Sequence, residues 1–418
     1  MVVHSATLAI DEAIRARKAR GEQILHLGFG EAGLPVLPTV ANVLAQNTGH
    51  NAYGTVVGAP AARRAAAGYF DRRGLATDPD QLVYAPGSKA LLYAVIASLP
   101  GDVVLPRPSW VSYAAQAALA AKHVIDVPIA AEAGGVPDPA ALDARLTQAR
   151  ASGRQPGVLV LTLPDNPTGT LAPADLVREV CAVAVKHDLV ILSDEIYRDL
   201  AYDPSLVLSP ALVAPERTVV TTGLSKSMAL GGWRIGVARL PDGERTAGLR
   251  DAIVGVASEV WSSLAGPMQD VAAYVFAEPP DVTEHVAESR QLHRTVATAV
   301  YDQFVAAGAT CRPPTGAFYL YPDLEPHRDW FAAHGAKTGA DAATFLLDRY
   351  GVGVLAGEAF GDEPDALRFR VATSLLYGET SDQRWEALRS ADPLRLPWIA
   401  ASLGQLREVL TKLGTKTT

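Results

Sequence analysis

The stretch Val190-Ile191-Leu192-Ser193-Asp194-Glu195-Ile196-Tyr197 runs from an apolar segment straight into a pair of carboxylates. A strand that is apolar on both alternating faces is one covered by helices on both sides, the condition of a parallel sheet inside an α/β fold. A carboxylate just beyond such a strand stands at the carboxyl edge of the sheet, where α/β proteins place ligands. Capping a following helix is its other possible role. Similar apolar runs recur at 81–84, 103–105, 123–127, 158–163, 218–221 and 234–238, with helical patterns at 89–99, 110–121 and 173–187 between them. Strands and helices that alternate over this length predict an α/β fold with a mostly parallel central sheet.

The texture changes near Pro279-Pro280. Apolar side chains at 282, 286, 292, 296, 300 and 304 keep a nearly helical spacing and predict one long amphipathic helix. Within it, Glu284, His285 and His293 read as a solvated face. Strand patterns at 318–321, 352–355 and 367–371 follow, with helices between, which predicts a smaller α+β domain. Ile399, Leu403, Leu406, Leu410 and Leu413 predict a terminal helix packed on it.

Composition narrows the function. The chain has 418 residues, 49% hydrophobic and 20% charged, enough to bury a sizeable core in more than one domain. Its formal net charge of −8 argues against nucleic acid as a partner. No apolar run approaches the roughly 18 residues of a membrane span. Asp11 and Glu12 lie near the start with no basic segment leading into an apolar one, so no signal peptide is expected. Two distant cysteines, Cys181 and Cys311, suit a reduced cytoplasm. The nine histidines form no metal-ligand spacing, so no metal is expected.

Two motifs mislead. Gly28-Phe29-Gly30-Glu31-Ala32-Gly33 matches a dinucleotide fingerprint, but Pro35 and Pro38 follow where a helix is needed, and 40–60 contains no acidic residue for a ribose. Gly223-Leu224-Ser225-Lys226-Ser227 begins like a serine-hydrolase elbow but lacks the closing glycine.

Other motifs converge. Asp165-Asn166-Pro167-Thr168-Gly169 follows the run at 158–163, and Ala85-Pro86-Gly87-Ser88-Lys89 joins a strand to a helix, an arrangement that collects phosphate. Lys226 lies at a strand end among Ser and Gly, eight residues before Arg234. A lysine confined there can lose its proton and attack a carbonyl. Ser225 and Arg234 suit phosphate oxyanions. One ligand uses all these parts: pyridoxal 5′-phosphate, an aromatic aldehyde with a phosphate and a basic ring nitrogen.

From about residue 24 to residue 374 the chain resembles the fold type I pyridoxal-phosphate enzymes of the aspartate aminotransferase superfamily (aminotransferase classes I and II). The resemblance implies a large cofactor domain at 46–285, with a seven-stranded, mostly parallel sheet between helices. It implies a small α+β domain from both chain ends, 1–45 and 286–418. It makes Lys226 the Schiff-base lysine, Asp194 the partner of the ring nitrogen, and Tyr197 and Asn166 the partners of the ring hydroxyl. It stacks Trp110 on the ring and gives the phosphate to Gly87, Ser88, Lys89, Ser225 and Arg234. Tyr53 in Ala52-Tyr53-Gly54 resembles a phosphate ligand donated by the neighbouring subunit, which implies a homodimer with shared active sites. Gly30, Asn166 and Arg370 fall at the substrate, with Arg370 on the α-carboxylate and Arg368 left as a surface charge.

The expected reaction is transamination between an amino acid and a 2-oxo acid, with Lys226 as base and then acid. The sequence departs from the family pattern at Glu31-Ala32-Gly33-Leu34-Pro35, at Gly231-Gly232-Trp233-Arg234 and after Tyr53. These segments line the substrate side. They leave open elimination, replacement, cyclisation, decarboxylation or oxidation of an amino acid on the same cofactor, as in specialised metabolism. A ligand-sensing module and a hydrolase built on Ser225 are the readings outside this cofactor class. No second arginine marks a dicarboxylic substrate, so the amino donor is open.

Overall fold

The computed structural model describes residues 4–413. Its strands are β1 (Leu25–His26), β2 (Leu82–Pro86), β3 (Asp102–Arg107), β4 (Val124–Pro128), β5 (Pro156–Thr162), β6 (Val190–Asp194), β7 (Thr218–Gly223), β8 (Ile235–Arg239), β9 (Tyr319–Leu320), β10 (Val352–Gly353), β11 (Leu355–Ala356) and β12 (Phe369–Ala372). Seven of them form the central sheet in the order β2-β8-β7-β6-β5-β3-β4, and only β8 runs against its neighbours. The fold is the expected α/β one. In β5 and β6, Val158, Val160, Val190 and Leu192 join one buried cluster, and Leu159, Leu161 and Ile191 join the cluster on the opposite face. That two-residue alternation is why the central strands read as apolar throughout.

Topology brings the chemistry to one edge. The carboxyl ends of β2, β3, β5, β6 and β7 lie together, and reversed β8 starts at the same edge. Thr162, Asp194 and Thr221 are register neighbours across β5, β6 and β7, and Gly223 of β7 faces Gly236 of β8.

A separate apolar core contains Leu25, Leu27 and Leu34 from the start of the chain and side chains from Leu292 to Leu413. β1 pairs in parallel with β10, while β11, β12 and β9 form an antiparallel sheet. The strand pattern at 352–355 therefore divides between two sheets, with Val354 as its joint. The helix Pro280–Ala306 runs 27 residues, and the terminal helix is Pro397–Leu413. An additional helix, Ala6–Ala19, precedes β1. Among the described residues, no helix is long and apolar enough to cross a membrane.

The reading of His285 and His293 as a solvated face is corrected here. Both are buried, on the apolar stripe of Pro280–Ala306 with Val282, Ser289, Leu292 and Val296. The His293 Nδ1 lies 2.6 Å from the Tyr377 hydroxyl, whereas neither ring nitrogen of His285 has a partner among the described residues. Burial lowers their pKa values, to about 4 for His285 and about 3 for His293. Because the folded state resists protonation more than the unfolded chain, stability present above about pH 6.5 falls as pH drops toward these values. The slope is about 1.4 kcal/mol per pH unit for each histidine in that window. Denaturant unfolding between pH 7 and pH 4 should show this loss, and His285→Phe should flatten it. An unchanged slope in the variant contradicts the assignment.

Candidate active site

A cavity of about 580 Å³ opens at the carboxyl edge of the sheet. Lys226 lines it, from the four-residue helix Leu224–Ser227 directly after β7. The ammonium donates to the Gly30 carbonyl at 2.5 Å. Burial, then the charge of Arg370, pull its pKa down to about 8, while Glu31 pulls the other way. Lys226 thus has an accessible neutral amine, which a solvated lysine lacks near neutral pH.

Asp194 ends β6 and is 3% exposed. Burial pushes its carboxyl up to about 6, opposed by donation from the Tyr113 hydroxyl at 2.8 Å, the Ile196 N–H at 3.4 Å and the Thr221 hydroxyl at 3.3 Å. Three donors satisfy the carboxylate, but among the described residues no cation pairs with it. Tyr113 also lies 2.9 Å from the Thr162 hydroxyl, which fixes its ring beneath Trp110 in an edge contact of 5.3 Å between centroids.

Arg370 is fully buried on β12. It donates to the Gly28 carbonyl at 2.6 Å and to the Asn166 Oδ1 at 3.3 Å, and its Nε has no partner among the described residues. Asn166 donates to the Tyr197 hydroxyl at 3.4 Å, and that hydroxyl lies 2.8 Å from the one of Tyr319. Arg368, by contrast, is a half-exposed side chain paired with Asp323 at 2.9 Å and Asp362 at 2.8 Å.

The third corner is cationic. Gly87 takes φ +86 and begins the helix Ser88–Ser98, and a Cβ on it would lie 2.1 Å from the Arg234 guanidinium. Arg234 itself is left-handed, φ +57, and opens β8. The Lys89 ammonium sits 5.0 Å from the centroid of the Trp110 ring. Burial lowers the pKa of both Lys89 and Arg234, and neither is in an ion pair among the described residues.

The sequence model of aminotransferases of class I and II matches residues 22–375. The chain belongs to that family. Its activity is that of an aminotransferase, moving an amino group between an amino acid and a 2-oxo acid. It is similar to an aspartate aminotransferase of Geobacillus stearothermophilus, 33% identical over 390 residues that cover 91% of this chain and 95% of that one. An aspartate/prephenate aminotransferase of Cereibacter sphaeroides is 32% identical over 383 residues, covering 88% and 91%. Among solved structures, the aspartate aminotransferase of Thermus thermophilus with maleate superposes with a TM-score of 0.82 at 26% identity, covering 98% of this chain and 97% of that one.

Of the residues singled out in the sequence, the aminotransferase cavity gathers Gly30, Ser88, Lys89, Trp110, Asn166, Asp194, Tyr197, Ser225, Lys226, Arg234 and Arg370. Gly87 stands behind Arg234 and shapes it rather than lining the cavity. Tyr53 is not brought there: it is 92% exposed. Sequence reasoning missed Tyr113, Thr162, Thr221 and Tyr319, and it missed the helix Ala6–Ala19, from which Leu8 and Arg15 border the cavity.

Proposed function

We propose that this aminotransferase works with pyridoxal 5′-phosphate, the cofactor its family uses, held by the residues above. What carries the reading is an unmatched set of charges in one cavity. Among the described residues, Asp194 is buried without a cation, Arg370 is buried with an unpartnered Nε, and Lys89 and Arg234 have no carboxylate. A protonated ring nitrogen, a substrate carboxylate and a phosphate supply the three missing partners. Gly87, Ser88, Lys89, Ser225 and Arg234 would hold the phosphate, Asp194 the ring nitrogen, Tyr197 and Asn166 the ring hydroxyl, Trp110 the ring face and Lys226 the aldehyde carbon. Bound there, the cofactor supplies an aldehyde that exchanges amino groups and a ring that accepts electrons.

The residues do the rest. Arg370 fixes the α-carboxylate and thereby turns the α-hydrogen toward Lys226. The Lys226 Nζ takes that proton and returns it to the cofactor side, a transfer suited to an amine whose pKa lies near 8. Asp194 keeps a proton on the ring nitrogen. Leu8 and Arg15 border the opening and limit water.

The amino donor we propose is an acidic amino acid such as aspartate. Support comes from the relatives' names and from one further cation, Arg15, which pairs with Asp11 at 2.8 Å and borders the cavity that holds Arg370. Single-turnover mixing of holoenzyme with L-aspartate should release one equivalent of 2-oxo acid, with kcat/KM at least about tenfold above L-alanine, the value of one charge-assisted contact. Products of elimination or decarboxylation in place of the 2-oxo acid sink this reading in favour of the other chemistries.

The working unit we propose is a cytoplasmic homodimer, in keeping with the free thiols Cys181 and Cys311. Tyr53, exposed in its own chain, would serve the partner's phosphate across a two-fold interface. Mixing Tyr53→Ala subunits with Lys226→Ala subunits then restores activity, since one site collects both defects and the other neither. Confirmed subunit exchange without restored activity contradicts it.

A further inference from the structure

Behind the helix Leu224–Ser227 lies a second cleft of about 640 Å³. Ser225 and Lys226 border the active-site cavity, whereas Leu224, Ser227 and Met228 border this cleft, and the two linings share no residue. Its apolar floor includes Met228, Phe276, Val282 and Val286, and its other walls carry Arg72, Arg73, Arg198 and Arg290 against only Asp199 and Glu278.

Both carboxylates are already engaged. Arg73 takes Asp199 at 2.7 Å and Glu278 at 2.6 Å, Arg72 takes Glu278 at 2.5 Å, and the Tyr69 hydroxyl donates to Asp199 at 2.9 Å. Two guanidinium groups keep donors for something else. Arg198 has a side chain only 9% exposed and uses one amino group on Glu195 at 2.6 Å. Its Nε and other amino group have no acceptor among the described residues. Arg290 forms no ion pair among the described residues and donates only to the Asp199 carbonyl at 3.2 Å. Asp203, which lies within the electrostatic reach of Arg290, accepts from the Ser205 hydroxyl at 2.6 Å and N–H at 3.0 Å.

Guanidinium donors left without acceptors beside an apolar floor select an anion with a hydrophobic body. Charged donors hold a carboxylate, and the floor leaves water when the body covers it. We propose that this cleft is a second ligand site, binding a small arylalkanoic acid with its carboxylate on Arg198 and Arg290 and its ring over Met228, Phe276 and Val282. The ligand is separated from the substrate by the thickness of the helix that carries Lys226.

The test is a fluorine NMR titration of 3-(4-fluorophenyl)propionate into holoenzyme, with the native chain beside Arg290→Glu and Val286→Trp. Arg290 is a half-exposed surface residue outside the active-site cavity, so its variant should keep native turnover, which shows that it is folded. At the ligand concentration that half-fills the native cleft, each variant should fill it to about one tenth or less. Loss of one charged contact alone weakens binding about tenfold or more. Equal occupancy of native and Arg290→Glu protein at that concentration, including no binding by either, overturns the proposal.

Discussion

Lys226→Ala is expected to cut amino transfer by about 10⁵-fold or more, the scale seen when a covalent catalytic group is removed. On the proposed assignment, two functions disappear together in this variant: the amine that joins the cofactor's aldehyde carbon and the base that moves the α-proton. The cavity itself should persist, because the backbone of Leu224–Ser227 is held between β7 and β8 and not by the ammonium. Cofactor affinity should fall far less than turnover, since Ser88, Ser225 and Arg234 are untouched. Steady-state turnover with equilibrium dialysis of pyridoxal phosphate separates the two effects. Turnover within tenfold of native would place the proton transfer on another residue.

Asp194→Asn should lower turnover by about 100-fold or more while leaving the cofactor bound, by analogy with other preorganised electrostatic groups. The physical reason is that a neutral amide no longer favours a proton on the ring nitrogen. The surrounding donors make the change selective. With the amide oxygen at Oδ1, Thr221 keeps its acceptor, and the Tyr113 hydroxyl, which faces the amide nitrogen at Oδ2, accepts from it and donates to Thr162 instead, so the fold has little to lose. The thermal midpoint should therefore move little while the rate collapses. Near-native turnover would mean that Asp194 serves only its local turn, where it accepts from the Ile196 N–H.

The central sheet was legible because its strands are buried on both faces, and each of the seven apolar runs became one of its strands. Lys226, Asp194 and Arg234 were legible because each adjoins such a strand at the ligand edge. Tyr113 had a usable signal. It lies three positions beyond Trp110 at the start of a helix, so the two share a face, and one ring rests on the other. Tyr319 had none, since it reaches the Tyr197 hydroxyl across 122 residues of sequence. The histidines misled because Glu284 drew attention to charge, although the helical step from Val282 through His285, Ser289 and Leu292 to Val296 already put them on the buried stripe. The helix Ala6–Ala19 was hidden by its composition: basic and acidic residues interrupt its apolar side chains, and only contact with the distant cavity gives it a role.

The central claim is that Lys226 is the residue that carries the cofactor. Borohydride reduction of the purified holoenzyme, followed by proteolysis and mass mapping, tests it most directly, because reduction locks the link between lysine and cofactor as a stable amine. The account predicts a single pyridoxyl group on the peptide that contains Lys226. A pyridoxyl group on Lys89, the other lysine bordering the cavity, or on no lysine at all, would contradict it.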